Sequence, residues 1–248
     1  MSVDSTLPVS FWASKGLNLF ACLDVLLLPE EISTHPSIAR HRHWAKRLLL
    51  WGHGGTSMWS QYQRDKTDTI DTIDRWSQHT IWEGFGGCLD DARYVWIYPR
   101  DDEHAPLSQL GEYVGWFTPS LLGQGSHEEF GLWAAYRAVM VVDVAFPVTQ
   151  RTEQLSTTPC ERCAEKPCIS VCPSQSVQPG GIHAELCMSY RMEEDSSCAS
   201  RCFSRYACPV GRRHQYTQAQ STYHAHHSLE AIRSMLMSFG VKKRNDGK

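Results

Sequence analysis

The sequence CERCAEKPCISVCP, residues 160–173, is followed by CASRCFSRYACP, residues 198–209. Together with Cys187, these two stretches contain eight of the chain's 10 cysteines, and each stretch ends in Cys-Pro. Clustered thiols in a chain of 248 residues are typical of metal ligands, whereas a disulfide scaffold is typical of much shorter secreted chains. The pattern therefore predicts a compact metal-binding module in the second half of the chain.

A cysteine-rich run that closes on Cys-Pro is typical of bacterial ferredoxins, in which the cysteine before proline serves the other of two iron–sulfur clusters. Applied here, this rule divides the thiols into two interleaved sets. We predict one [4Fe–4S] cluster held by Cys160, Cys163, Cys168 and Cys208. We predict a second held by Cys172, Cys187, Cys198 and Cys202.

The spacing departs from that of ferredoxins. Two extra residues stand between Cys163 and Cys168, and the gap between Cys202 and Cys208 is longer by the same amount. Zinc is the main alternative, because four thiolates can bind it tetrahedrally. Disulfides are not expected, because they are rare in the reducing setting predicted below.

Charge and hydropathy limit the classes of partner. Residues 1–150 contain 11 Lys and Arg against 18 Asp and Glu, a net charge of −7, whereas residues 151–248 have a net charge of +4. Because an acidic surface binds phosphate backbones poorly, we do not expect nucleic acid as a partner. No basic start followed by an apolar segment is present, and no apolar run approaches the ~20 residues of a spanning helix. We therefore predict a cytoplasmic protein without a membrane span.

The sequence predicts three parts: an α/β domain over residues 1–150, the cysteine module over 151–213, and a C-terminal helix and tail over 214–248. Predicted strands cover 17–25, 45–51, 94–98 and 133–144, and predicted helices cover 70–85, 107–113 and 215–239. Asp68 or Thr69 is expected to cap the first of these helices. The last helix is expected to bury a stripe formed by Ala219, Tyr223, His226, Leu229, Ile232, Leu236 and Phe239. Residues 150–159 are predicted to be a linker.

Several other residues could carry chemistry, but each has a structural interpretation that we favour. Gly52-His53-Gly54-Gly55 lacks the spacing of a phosphate-binding loop and predicts a tight turn. Cys22 and Cys88 are expected to be buried, inert thiols. The histidines at 224, 226 and 227 lack a matching cysteine or carboxylate, so we predict that this helix face packs on the module.

The order of further motifs resembles the epoxyqueuosine reductase family and its short ferredoxin-like relatives. The matching elements are Val114-Gly115-Trp116, Leu121-Leu122, Gly131-Leu132-Trp133, Val141-Val142-Asp143, Cys187-Met188-Ser189-Tyr190 and Cys208-Pro209-Val210-Gly211. The resemblance implies a reductase-like domain with a mixed sheet, two [4Fe–4S] clusters and a base-off cobalamin. Two features depart from the family: Gly115-Trp116-Phe117-Thr118-Pro119 lacks the family's lysine, and the C-terminal helical-repeat extension that grips tRNA is missing.

These observations support three hypotheses. In the first, an oxidoreductase relays single electrons through two clusters to cobalamin or a small-molecule substrate in the first domain. In the second, the chain is a ferredoxin-like electron carrier, without enzymatic activity, for a partner that donates or accepts electrons. In the third, zinc stabilises a structural adaptor. The sequence assigns no catalytic residue.

Overall fold

A four-stranded sheet forms the centre of the first part of the chain. The computed structural model describes residues 7–100, 104–149 and 157–238. The strands are β1 (Leu19–Asp24), β2 (Arg47–Gly54), β3 (Tyr94–Tyr98) and β4 (Ala134–Val142). They lie in the order β1-β2-β4-β3, and each pairing is antiparallel. The predicted α/β class is confirmed, with an antiparallel sheet in place of the mixed sheet expected from the resemblance.

Helices cover both faces of this sheet. They are α1 (Val9–Ser14), α2 (Glu30–Ser33), α3 (Pro36–Ala39), α4 (Ser57–Asp65), α5 (Ile73–Phe85) and α6 (Leu107–Tyr113). Met58 of α4 and Trp76 of α5 are buried in a cluster on one face. Ile32 of α2 and Leu110 of α6 are buried in a second cluster on the other. Successive residues of β2 and β4 point alternately into the two clusters. Because both faces of these strands are buried, their sequences are continuous apolar runs.

Each strand and helix predicted in this part is present, but α5 begins at Ile73 rather than at residue 70, and α1 to α4 were not predicted. β3 and α6 have the predicted bounds, and β4 lies within its predicted segment. The prediction of a turn at residues 52–55 was wrong, because β2 continues to Gly54 and only Gly55, with φ +78°, turns the chain. Thr72, rather than Asp68 or Thr69, caps α5 by accepting a hydrogen bond from the Arg75 N–H.

The cysteine module consists of short elements. They are α7 (Pro159–Arg162), α8 (Pro167–Ser170), β5 (Val177–Gln178), β6 (Gly181–Ile182), α9 (Ala184–Met192) and α10 (Phe203–Ala207). A capping box between Thr158 and Glu161 begins α7 and fixes the turn that contains Cys160. Most of the predicted linker, residues 150–156, lies outside the described residues.

Helix α11 (Gln218–Ser238) returns from the module to the first domain. Its Tyr223 ring packs 5.2 Å from Trp59, and its hydroxyl accepts a hydrogen bond from the Ile73 N–H. The predicted stripe is buried at Leu229 and Ile232 and half-buried at Tyr223, but it is wrong at Ala219 and His226, which are exposed. Gln220 and Ser221 are buried instead, because the helix also packs against the polar end of the cysteine module. The side chain of Leu236 and all of Phe239 lie outside the described residues.

Candidate functional site

The first set of cysteines surrounds a small apolar pocket. Cys160, Cys163, Cys168 and Cys208 line it together with Leu121, Leu122 and Leu132. Burial and the nearby thiols of the same set raise the pKa of Cys168 and of Cys208. Lys166, one of the extra residues before Cys168, has φ +41°, a left-handed conformation that turns the chain into α8. The longer loop therefore still brings Cys168 next to Cys160 and Cys163.

The second set lies on the other side of the module. Cys172, Cys187, Cys198 and Cys202 line the wall of a larger cavity. Burial and the other three thiols of this set raise the pKa of Cys198. Burial opposes ionisation of Cys172 as well, but hydrogen bonds from Ser174, Ser176, the Val177 N–H and Ser204 lower its pKa to about 6. Cys172 is thus surrounded by donors suited to a thiolate or to a thiolate bound to metal.

Two short helices explain why the sets interleave. Cys168 stands in α8 and belongs to the first set, whereas Cys172 follows that helix and belongs to the second. Cys202 precedes α10 and belongs to the second set, whereas Cys208 follows it and belongs to the first. Each of these helices therefore has a cysteine of one predicted set at one end and a cysteine of the other set at the other end. The two pockets are lined by four cysteines each.

The spread of the sulfur atoms bears on which metal would fit. In a tetrahedral zinc site, Zn–S bonds of ~2.3 Å place the sulfurs about 3.8 Å apart. Among the described residues, no three cysteine sulfurs all lie within 4.8 Å of one another. Each set is therefore too wide for a single zinc ion as it stands, whereas the corners of an iron–sulfur cube hold thiolates farther apart.

The larger cavity has a volume of about 370 Å³ and lies between the module, the sheet and α11. Its lining includes Arg137 of β4, Arg205 of α10, Tyr216, and His224 of α11. Arg205 donates two hydrogen bonds to the Leu132 carbonyl and stacks on the ring of Tyr216 at 4.7 Å. The cavity thus joins the second set of cysteines to residues contributed by each of the three predicted parts of the chain.

A buried pair stands behind this wall. The Tyr216 hydroxyl is hydrogen-bonded to Nε2 of His53, 2.9 Å away, and His53 is fully buried in β2. Burial and the nearby guanidinium of Arg137 hold the pKa of His53 well below its usual value, while burial raises the pKa of Tyr216. At neutral pH the imidazole is uncharged and the phenol keeps its proton.

The remaining candidate residues have structural surroundings. Cys22 is buried, as predicted, and burial raises its pKa to about 12, which keeps the thiol protonated. Cys88 is half-buried. His224 packs against Tyr216 and Trp59, as expected of a packed helix face, but His226 and His227 are exposed and lie beside Glu230.

Sequence reasoning missed most residues of the cavity. Arg137 is the only charged residue in the strand AAYRAVMVV, and that isolated charge is a signal that the sequence offered. His53 lies between glycines, and that local pattern predicts a turn rather than a functional residue. Nothing in the local pattern around Tyr216 or Arg205 distinguishes them from the many other aromatic and basic residues.

Comparison with solved structures identifies the fold. An epoxyqueuosine reductase solved with an epoxyqueuosine-modified tRNA-Tyr stem loop matches with a TM-score of 0.50 and 14% sequence identity. The fold is that of epoxyqueuosine reductase. The match covers 87% of this chain and 67% of the reductase. A selenomethionine-labelled epoxyqueuosine reductase matches with the same TM-score and coverage at 13% identity.

The resemblance expected from the sequence is therefore confirmed at the level of the fold, and the chain spans about two thirds of the length of these reductases. No protein-family model matches the chain, and no curated protein sequence does. The expectation that nucleic acid is not a partner finds no support here, because one matching reductase is bound to a tRNA stem loop. No helix in the described ranges is long and apolar enough to cross a membrane.

Proposed function

We propose that this chain is an iron–sulfur oxidoreductase that relays single electrons through two [4Fe–4S] clusters to a small molecule in the 370 Å³ cavity. The observation that carries the proposal is the position of the second set of cysteines in the wall of that cavity. The first set has a separate apolar pocket, which suits a relay cluster shielded from water. Leu122 lines both spaces, so the two sites lie on either side of one side chain.

Eight cysteines would hold the clusters. The first would be held by Cys160, Cys163, Cys168 and Cys208, and the second by Cys172, Cys187, Cys198 and Cys202. Such clusters supply one-electron transfer at potentials between roughly −700 and +450 mV, set by charge, hydrogen bonds and exposure. The hydroxyls of Ser174 and Ser176, each 3.4 Å from the Cys172 sulfur, would raise the potential of the second cluster by stabilising its added negative charge.

Reduction of an organic substrate usually requires protons as well as electrons. Tyr216 lines the cavity with a protonated phenol, and His53 holds that hydroxyl by a hydrogen bond from behind. In this proposal the Tyr216 phenol gives a proton to the bound molecule, and His53 orients it. The exposed side chains of Arg201 and Ser228 connect the cavity to the surface, where a substrate would enter.

Cobalamin is implied by the resemblance, but the cavity does not enclose it. A volume of about 370 Å³ lies near the lower end of the ~300–1,000 Å³ found for drug-sized ligands. A corrinoid is much larger than such ligands, and part of this volume would be filled by the second cluster. Cobalamin therefore has no place in the proposed relay. A titration of cluster-loaded protein with cobalamin, followed by absorbance, tests this: a saturable spectral shift would contradict the size argument.

A ferredoxin-like electron carrier is the second candidate. Cys202 is exposed, so the second cluster would be reachable by a partner protein that donates or accepts electrons. A carrier would exchange electrons with a partner but bind nothing in the cavity.

A tRNA stem loop is a further substrate class to test, because a reductase of the same fold is bound to one. Filter binding with an epoxyqueuosine-modified stem loop separates that class from small molecules.

Metal analysis after anaerobic reconstitution is the deciding experiment. We expect about eight iron and eight acid-labile sulfide ions per chain, with visible absorbance that dithionite bleaches. The matched control is the double variant Cys22→Ala/Cys88→Ala, which should keep the full iron content because neither thiol belongs to a set. A colourless protein with stoichiometric zinc and no iron would overturn the proposal.

A further inference from the structure

An arginine interrupts the apolar central strand of the sheet. In the pairing of β2 with β4, Trp51 lies opposite Ala138 and Gly52 lies opposite Tyr136, so Arg137 has no partner residue and forms a β-bulge. A bulge turns the side chain of the extra residue away from its regular direction. Here it directs Arg137 into the lining of the 370 Å³ cavity. The pairing of β4 with β2 thus shifts by one residue at Arg137, the position whose side chain lines the cavity.

The guanidinium of Arg137 is poorly compensated. Its side chain is only 10% exposed, and its buried Nε atom has no hydrogen-bond partner among the described residues. Its nearest carboxylate, on the half-exposed Asp74, lies 4.0 Å from Nη1, at the limit of an ion pair. Buried charges are normally paired and hydrogen-bonded, because taking them out of water is costly. The vacant donor therefore points to a ligand that completes it.

Other arginines of the cavity are already engaged. Arg205 donates to the Leu132 carbonyl, and Arg191 donates to the Ser228 hydroxyl and to the Ala225 carbonyl. Arg201 stacks on the ring of Phe203 at 4.5 Å. The residues lining the cavity include no aspartate or glutamate. Arginines thus line the cavity without a carboxylate among its lining residues, and Arg137 is the buried one, with an Nε–H that lacks a partner.

His224 provides a second vacant polar atom in the same wall. Its Nε2 is buried, and no described residue forms a hydrogen bond with it. The ring packs on Tyr216 with the centroids 5.5 Å apart. Burial and the nearby guanidinium of Arg137 lower the pKa of His224 to about 3, so the ring is neutral. A neutral imidazole with a vacant nitrogen can donate one hydrogen bond without adding charge.

We infer that Arg137 and His224 form an oxyanion subsite, which binds the carboxylate or phosphate group of a small anionic molecule beside the second set of cysteines. Guanidinium groups match the geometry of both oxyanions. This inference deepens the proposed function and rests on it for the redox role of the ligand, since the bound molecule would be the electron acceptor. Binding itself needs only the cavity.

The competing explanation is that Arg137 compensates the negative charge of the second cluster and binds nothing. Calorimetric titration of anaerobically loaded protein with succinate, and separately with inorganic phosphate, distinguishes the two. We expect saturable binding of at least one probe, weakened tenfold or more by Arg137→Gln. The probe that binds identifies the oxyanion. Arg75→Gln is the matched control, because Arg75 is exposed and pairs with Asp71 outside the cavity.

His224→Ala provides a second variant that leaves the sheet intact, and we expect it to weaken binding at least threefold. Iron content is measured on each sample, so a protein without iron counts against the proposed function and not against the subsite. Iron-loaded protein that binds neither probe would overturn the inference. So would an Arg137→Gln variant that shifts the potential of the second cluster but binds the probe as tightly as the unchanged protein.

Discussion

The Tyr216 hydroxyl and Nε2 of His53 lie 2.9 Å apart, although 163 positions separate the two residues in the chain. Tyr216 follows the cysteine module, and His53 belongs to the second strand of the sheet. Both are buried, and Nδ1 of His53 has no hydrogen-bond partner among the described residues, so the imidazole is held through Nε2. This bond therefore fixes the module on the sheet at the wall of the cavity.

Replacing Tyr216 by Phe should lower the free energy of unfolding. The change removes the hydroxyl and leaves His53 without a partner, and an unsatisfied buried polar group costs about 1–3 kcal/mol. Urea unfolding followed by tryptophan fluorescence measures the loss. Tyr113→Phe is the control, because the Tyr113 hydroxyl donates to the Leu27 carbonyl at an exposed site. Equal losses of unfolding free energy in the two variants would show that the bond to His53 stabilises the fold no more than an exposed hydrogen bond does.

Replacing Cys172 by Ala should remove the second cluster and spare the first. Cys172 lines the cavity of the second set and not the pocket of the first, so about half of the iron should remain. Iron analysis and electron paramagnetic resonance of the reduced protein provide the measurement. Cys168→Ala is the reciprocal variant and should retain the other signal. If both variants lost the same signal, the interleaved assignment would be wrong.

The stability contributed by His224 should fall as the solution becomes acidic. Its pKa is about 3 in the folded chain, against 6.5 for an unperturbed histidine, so the unfolded chain takes up a proton that the folded chain does not. A depressed folded pKa gives stability that is present above about pH 6.5 and is lost as the pH falls toward 3. The slope for one proton is at most about 1.4 kcal/mol per pH unit.

Urea unfolding between pH 7.5 and 5 tests this prediction against His224→Gln, which should lose stability less steeply on acidification. His226→Gln is the control, because His226 stands two positions away on the exposed side of α11. A His224→Gln variant whose stability falls as steeply as that of the unchanged chain would refute the assignment.

Gly54 should not tolerate a side chain. A Cβ atom at this position would overlap the ring of Phe130, and Phe130 packs on His214 with ring centroids 4.7 Å apart. Gly54→Ala should therefore destabilise the chain by about 1–3 kcal/mol, as overpacking does. Gly180→Ala is the control, since nothing lies within 4 Å of a Cβ there. Thermal unfolding of the two variants compares them, and a Gly54→Ala variant as stable as Gly180→Ala would contradict the packing.

The elements with the strongest local patterns could be predicted from sequence. The apolar runs of β3 and β4 and the helix α6 appear where their patterns place them. The glycines at 52 and 54 misled the prediction, because glycine indicates a turn locally but here allows Trp116 and Phe130 to approach a strand closely. The face of α11 was misjudged for a related reason: its buried side includes the polar Gln220, which only its neighbours could reveal.

The sequence by itself places eight cysteines in one module and predicts two sets of four, because short loops and two Cys-Pro endings leave few ways to surround a cluster. The cavity was decided by the tertiary structure alone. Its lining brings together residues 137, 205, 216 and 224, with His53 behind them, and these come from a bulged strand, a short helix, a loop and the C-terminal helix. Periodicity reports only neighbours within a few positions, so contacts over such distances arise when the sheet, the module and α11 pack together.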